Sequence, residues 1–558
     1  MRRELARLEH TTFDVVIIGG GISGACLAHD ASLRGLSVAL VERGDFGAAT
    51  SAASSKLLHG GIRYLQQIRL DKVRESLRER AYFHRIAPHL SRWVPFLIPT
   101  HRGLVRGRWF LECGMRLYAL LGGTEAQVAI GSEQPLPSIY YTRAELRDVA
   151  PEITARADVT GAHLLYELHL HSTERMTLAV LKSAVRQGAV IANYVSVDDL
   201  LRTGARVTGV QAVDRLRGET LEIRGRIVVN VAGPWLVGLN ERLSDGVLGR
   251  HVTGFAKGAH IVTRKLMPAF AVALPTGRAS DTVIGRGGRH VFVIPWRGHS
   301  LIGTTSRLYY GDLDEVGPTE DDIDQLVSDV ARALPDAGLI RSDVRHAFAG
   351  LYPLTTRWLN PNVYQGTGDY QVIDHGRGGG TEGMVSALGA KYTTARRLAE
   401  LTTTLVCAKL GRRVNRCQTT RTPVVGGDMD DVTTFTRDTV TRYHNRLDPA
   451  TVEHLVRQYG TEVDAVIALG RDDPTALRHL TAARESIEAE VVFAVEKEMA
   501  VQLPDIVFRR TGLGTLGYPG EACLRRCATL MASRLGWTDD EIDDQVQRTR
   551  TLFPLLDV

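Results

Sequence analysis

At 558 residues the chain is too long for one ordinary hydrophobic core, so two or three domains are expected. It is 44% apolar and 23% charged, the balance of a soluble globular protein. A net charge of +5 over this length argues against nucleic acid as a partner, while leaving room for a local basic patch facing anionic lipid.

Six cysteines (Cys26, Cys113, Cys407, Cys417, Cys523 and Cys527) are scattered without a CxxC pair. Cys523 and Cys527 stand four apart on a predicted helix, but two thiols without neighbours do not make a metal cluster. Buried reduced cysteine, no metal and a cytoplasmic location are therefore expected. The opening MRRELARLEH is polar and lacks the apolar run of a signal peptide. No window is apolar enough to span a bilayer, so membrane contact is expected to be peripheral.

Residues 13–42, FDVVIIGGGISGACLAHDASLRGLSVALVE, carry the first organising motif. A four-residue apolar run, 15–18, reads as a buried parallel strand. Gly19, Gly21 and Gly24 then fit GxGxxG: a tight turn, close approach to a pyrophosphate, and close packing of helix on strand. The predicted helix, 22–34, carries Ser23 in its first turn and aims its N-terminal N–H groups at that pyrophosphate. Gly35 ends it. A second apolar run, 37–41, closes on Glu42, placed to accept hydrogen bonds from a ribose diol. The following RGDFGAATSAASSKLLHGGIRYLQQ is rich in small and hydroxyl residues that suit a large planar cofactor and its phosphates.

The string ATSAASSKLLHGGIRYL, taken with GGGISGACLAHDASLRGLSVALVE, resembles the flavin-dependent glycerol-3-phosphate dehydrogenases of the D-amino-acid oxidase superfamily. The resemblance implies FAD as cofactor. It places Arg43, Thr50, Ser54, Ser55, Lys56, His59, Gly60 and Gly61 on the cofactor side, and Arg63 and Tyr64 toward substrate.

Further along, 71–86 is helical in pattern, and Pro88 ends it. The segment HRGLVRGRWFLECGMRLYALLGG sets arginines against Trp109, Phe110, Leu111 and Leu117, as in a core-facing helix with a basic outer face or a helix lying on a membrane. The resemblance tilts this toward the membrane, because family members deliver electrons to membrane quinone. After a helix at 173–187, GAVIANYVSV, with Val195, matches the adenine side of the cofactor site. VVNVAGPW, with Ala232 and Gly233, resembles the second flavin contact.

Short β-rich strings between residues 254 and 353 predict an antiparallel sheet roofing the active site, with His260 at a position that approaches substrate in relatives. Two departures follow. Where the family reads Gly-x-Arg-Pro-Leu this chain has Tyr352, and where it has arginine before Asp-Tyr this chain has Gly368. Two cations that would hold a phosphate are thereby absent, and Arg63, Arg278, Arg286, Arg307 and Arg357 are the candidates to replace them. GGGTEGMVSALGAKYTTARRLAEL then matches strongly. A strand ends at Gly389, and Lys391, Tyr392 and Thr393 lead into a helix whose N-terminus faces the reduced flavin's negative charge.

Beyond residue 425 the chain turns acidic and helix-rich, with helices near 449–459, 487–499 and 520–535. Arg509 and Arg510 are expected to face solvent. The expected fold is α/β: an FAD-binding Rossmann-type domain (13–75, 158–250 and 365–410), an antiparallel β-rich substrate or cap domain (76–157 and 251–364), and a C-terminal all-α domain (425–558).

The implied reaction is oxidation of sn-glycerol 3-phosphate to dihydroxyacetone phosphate, with hydride to the flavin N5 and electrons passed to quinone or another acceptor. His260 and Lys391 are the candidates to orient the hydroxyl and take its proton, with Arg63 and Tyr64 binding substrate. Tyr352 and Gly368 keep two alternatives open: another polyol, polyol phosphate or amine as substrate, or a flavin-binding scaffold without activity. Location at the cytoplasmic face of the membrane and assembly as a homodimer also stay open.

Overall fold

A computed structural model describes residues 1–61, 64, 68–102, 107–128, 139–243, 252–275, 290–354, 369–377, 380–389, 391–413, 415–471, 473–482, 485–553 and 555, without the side chains of 123–128. Two large sheets and a helical C-terminal region account for the described chain.

The first sheet runs Gln371–Asp374, Met384–Leu388, Thr220–Asn230, Thr12–Ile18, Val38–Val41, Val190–Ala192 across its width, and its central pairings are parallel. Thr12–Ile18 is buried at every position but the first, which is why it reads as an unbroken apolar run instead of an alternating one. The helix Ile22–Leu33 packs across it. A Cβ on Gly24 would stand 1.9 Å from the Gly19 carbonyl oxygen, so only glycine lets helix and strand meet this closely. Gly35, at φ +85°, turns the chain out of the helix into Val38–Val41. The meander Val195–Thr203 and Arg206–Asp214 returns antiparallel to Thr220–Asn230.

The second sheet is built around Gly254–Thr263, which pairs antiparallel with Val344–Leu354, His299–Gly303 and Arg307–Tyr309. Among the described residues its one parallel pairing joins Ala271–Pro275 to Ser91–His101. Val159–Leu170 departs from the boundary expected at residue 158. It runs antiparallel along Ser91–His101 over nearly its whole length and so belongs to this sheet. Leu57–Leu58 also joins here, so the chain enters the second sheet straight from the glycine- and serine-rich loop.

The C-terminal region packs Val432–Tyr443, Pro449–Tyr459, Glu488–Glu498, Glu521–Leu535 and Asp539–Arg550 around two apolar clusters. Asp448 and Thr538 cap two of these helices by accepting backbone N–H groups. The expectation that Arg509 and Arg510 face solvent is corrected: Arg510 is fully buried, and Arg509 nearly so. Both come from the wide helical turn Asp505–Arg510 and reach the loop after Glu42. Arg510 donates to both carboxylate oxygens of Asp45 at 2.6 and 2.9 Å, and Arg509 donates to Asp45 at 2.5 Å and Asp505 at 2.7 Å. Arginine in a run of mixed charge looks like surface, and only the distant partner Asp45 makes burial affordable.

Burial alone would raise the Asp45 carboxyl, but Arg510 and Arg509 outweigh it and hold it well below the usual carboxylate range. A group depressed in this way stabilises the fold fully above its unfolded value of roughly 3.9, and that stability is lost as acid protonates it. Asp45→Asn is expected to cost about 3–5 kcal/mol by leaving two buried guanidiniums short of charge. Urea unfolding at neutral pH measures this, and the deficit shrinks as the wild type is acidified below about pH 4.

Candidate active site

A cavity of about 1290 Å³ opens between the two sheets and runs from the glycine turn to the roof strands. Gly19, Gly21 and Ser23 form its floor, Glu42, Arg43 and Val195 one end, and Thr50, Ser54, Ser55 and Lys56 a wall. Ala232, Gly233, Gly389, Lys391, Tyr392 and Thr393 lie opposite, with His59, Tyr64 and His260 toward the roof. Gly24, Gly60 and Gly61 do not line the cavity, and Gly24 packs against Gly19. Gly60 packs on Tyr118 and Leu77, and its N–H donates to Glu167 at 2.9 Å. Arg63, Gly368, Arg278, Arg286 and Arg357 lie outside the described residues.

The floor has the chemistry of an anion site. Gly21 has no side chain to cap the helix Ile22–Leu33, and the Ser51 hydroxyl reaches across to accept from the Ile22 N–H at 2.9 Å. At the adjoining strand end, Glu42 accepts from the N–H of Gly20 at 2.7 Å and of Gly44 at 2.8 Å. Burial raises its carboxyl against these two bonds. Each oxygen keeps a lone pair toward the cavity, enough for a ribose diol. Gly19 cannot carry a side chain here, because its Cβ would stand 2.9 Å from the Ala232 Cα. Volume, a helix end led by glycine and the acid together fit a dinucleotide such as FAD.

The surrounding structure holds this floor in place. Thr50 donates to the Leu351 carbonyl at 2.9 Å, tying the serine-rich loop to the roof. Lys56, named from sequence as a cofactor-side residue, turns its ammonium inward, donating to Glu174 at 2.9 and 3.1 Å and to Thr173 at 3.2 Å. Arg43 stacks on Trp235 at 4.3 Å and pairs with Asp314, which also accepts from the Trp235 indole at 2.6 Å. Asp314 belongs to a loop of the second sheet, so this contact straps the two sheets together at the Glu42 end of the cavity.

At the other end stand two candidates for proton chemistry. His260 is buried in the central roof strand, stacked on Phe348 with ring centroids 5.3 Å apart. Gly303 makes room for it, since a Cβ there would stand 2.1 Å from the ring. Burial, then Lys56, lowers its pKa to about 3, so the imidazole is neutral at physiological pH. Lys391 donates to the Ser76 hydroxyl at 3.2 Å and lies over the Tyr64 ring at 4.4 Å. Burial lowers its pKa to about 8. Tyr352 lines the cavity with its hydroxyl 2.7 Å from the Ser306 hydroxyl. Arg307 is committed to Gln325 at 2.8 Å and is no replacement for the absent arginines.

Ser76, Glu174, Asp314 and Trp235 were not among the residues singled out in the sequence. Trp235 closes the VVNVAGPW string without having been picked from it, while Ser76, Glu174 and Asp314 carry no motif and reach the site from elements distant in the chain.

Comparison with known proteins agrees with this geometry. Residues 14–396 match the FAD dependent oxidoreductase family, and 417–542 match the C-terminal domain of alpha-glycerophosphate oxidase. A glycerol-3-phosphate dehydrogenase of Synechocystis is 33% identical, with 98% of this chain and 97% of that protein covered. Glycerol-3-phosphate dehydrogenase 2 of Mycobacterium tuberculosis is 32% identical over 97% of this chain and 88% of its own length. The structure of a Bacillus halodurans glycerol-3-phosphate dehydrogenase complexed with FAD superposes with a TM-score of 0.75 at 25% identity, covering 99% of this chain and 98% of that one. The chain belongs to the FAD dependent oxidoreductase family, in the branch formed with the glycerol-3-phosphate dehydrogenases.

Proposed function

We propose that the chain oxidises sn-glycerol 3-phosphate to dihydroxyacetone phosphate, with Lys391 as the base. The observation that carries this is an amine on the cavity wall with a pKa of about 8, close to working pH, where a general base is most effective. FAD, when bound, supplies the two-electron acceptor for the hydride of the carbinol carbon. The hydroxyl proton passes to the neutral Lys391 amine, and the carbon–oxygen bond becomes a carbonyl. His260, with a pKa of about 3, is too weak a base for this step. Its fixed neutral ring orients the hydroxyl. Tyr64 packs beneath the Lys391 amine and shields it from water. Gly19, Gly21, Ser23 and Glu42 would hold the pyrophosphate and ribose, and the 50–56 loop with Gly389, Lys391, Tyr392 and Thr393 the ring system.

Tyr352 favours one second reading, a neutral polyol, because a phenol offers a hydrogen bond but no charge for a phosphate. The helix Arg108–Val128 bears on electron transfer onward. Trp109 is 72% and Leu120 77% exposed, beside Phe110, Leu117 and an exposed Arg116, which fits a helix lying on a membrane. No helix among the described residues is long and apolar enough to cross one. A quinone dissolved in that membrane, at its cytoplasmic face, is then the acceptor within reach.

Anaerobic bleaching of the flavin spectrum tests the reaction. Glycerol 3-phosphate is expected to bleach it and glycerol is not, and the reverse result assigns the neutral polyol. Lys391→Ala is expected to slow bleaching about a hundredfold or more with flavin retained, and His260→Ala less, since orientation is lost but not the base. Sedimentation with anionic vesicles tests the membrane contact. The wild type is expected in the pellet, and a Trp109→Asp, Leu120→Asp double variant in the supernatant.

A further inference from the structure

Lys391 reaches the cavity across one face of the helix Leu70–Ile86, and that face carries an unusual set of groups. Ser76 is fully buried and accepts from the Lys391 amine at 3.2 Å. Gly61 leaves room for it, since a Cβ there would stand 3.2 Å from the Ser76 hydroxyl and 2.8 Å from the Tyr64 ring. One turn earlier, Lys72 points the same way, as i and i+4 residues do. Its ammonium lies 3.1 Å from Asp369, 3.4 Å from Glu75 and 4.9 Å from the Tyr370 ring centroid. Arg69, at the helix entrance, reaches the same Asp369 oxygen at 3.2 Å. Tyr370 donates to Glu75. Among the described residues the charged groups facing Lys391 are thus Arg69, Lys72 and Glu75 from the helix and its entrance and Asp369 from the segment beside it, with Tyr64 and Tyr370 the neighbouring phenols.

Arg69 and Lys72 disfavour a proton on Lys391, and Glu75 and Asp369 favour one. Lys72 has a second effect: it engages both carboxylates, drawing their field away from Lys391. A charge at this position acts on the amine directly and through its neighbours, and both effects have the same sign.

We propose that Ser76 and Lys72 are positioning residues for Lys391, the hydroxyl holding the amine at the cavity wall and the ammonium keeping it ready to accept the substrate proton. The proposal rests on Lys391 being the base. Neither residue touches the cavity, so each acts through the amine alone.

The pH dependence of anaerobic flavin reduction by glycerol 3-phosphate, measured in a single turnover on the FAD-loaded enzyme, reads this. In the wild type the rate is expected to rise with pH as Lys391 loses its proton. Lys72→Gln is expected to move that rise to higher pH by on the order of one unit, and Lys72→Arg to leave it in place. Ser76→Ala is expected to lower the plateau rate about tenfold, with the flavin spectrum intact. An unmoved rise in Lys72→Gln, or an unchanged plateau in Ser76→Ala, overturns the proposal while leaving the base assignment standing. A rise that persists unchanged in residual turnover by Lys391→Ala overturns the base assignment itself.

Discussion

The cofactor end of the molecule depends on one close contact, the Gly19 carbonyl against Gly24, where a Cβ would stand 1.9 Å from the oxygen. Because helix and strand meet there without an intervening side chain, the first turn of Ile22–Leu33 projects straight into the cleft between the sheets. The same contact sets the height of Glu42 at the end of the neighbouring strand, where two backbone N–H groups hold its carboxylate. The helix dipole and the acid proposed to meet phosphate and ribose are therefore fixed relative to each other by packing. The roof joins this floor through Thr50 on Leu351 and through Asp314 between Arg43 and Trp235.

Buried charge is treated in two ways. Asp45 with Arg510, Lys56 with Glu174, Arg80 with Glu167 and Arg396 with Glu79 are tight ion pairs whose members neutralise each other away from water. They fasten the C-terminal region to the loop after Glu42, the serine-rich loop to the helix Thr173–Arg186, the helix Leu70–Ile86 to the strand Val159–Leu170, and that same helix to Ala395–Leu410. Lys391 differs. Among the described residues it makes no ion pair, and its partners are a hydroxyl and an aromatic face. A lysine stabilised so weakly as a cation gives up its proton near neutral pH, and this separates a reactive amine from a structural one.

Much of this was legible in the sequence, for a physical reason. The 15–18 strand, the three glycines, the 22–34 helix and Glu42 are local features, each needing a particular residue type at a particular step. The structure has the helix at Ile22–Leu33 and ends the strand at Ile18 as expected, but starts that strand three residues earlier, at Thr12. The helix 449–459 was found at its ends because Asp448, Pro449 and Gly460 punctuate it. Lys391 stood out only in the context of its strand and helix. Illegible were the features made by distant pairing. Val159–Leu170 looks like a strand in any sheet until Ser91–His101 lies beside it. Arg509 and Arg510 look like surface until Asp45 is placed 2.6 Å from one of them. Ser76 is one hydroxyl in a charged helix until Lys391 arrives from 315 residues away.

The central claim is that the Lys391 amine takes the substrate's proton, and chemical rescue tests it most directly. In Lys391→Ala, small primary amines added to the FAD-loaded enzyme are predicted to restore anaerobic flavin reduction by glycerol 3-phosphate. The restored rate should follow the concentration of neutral amine and climb with its basicity. Restoration that tracks amine salt irrespective of its protonation, or no restoration by any amine small enough to enter the site, would contradict the account.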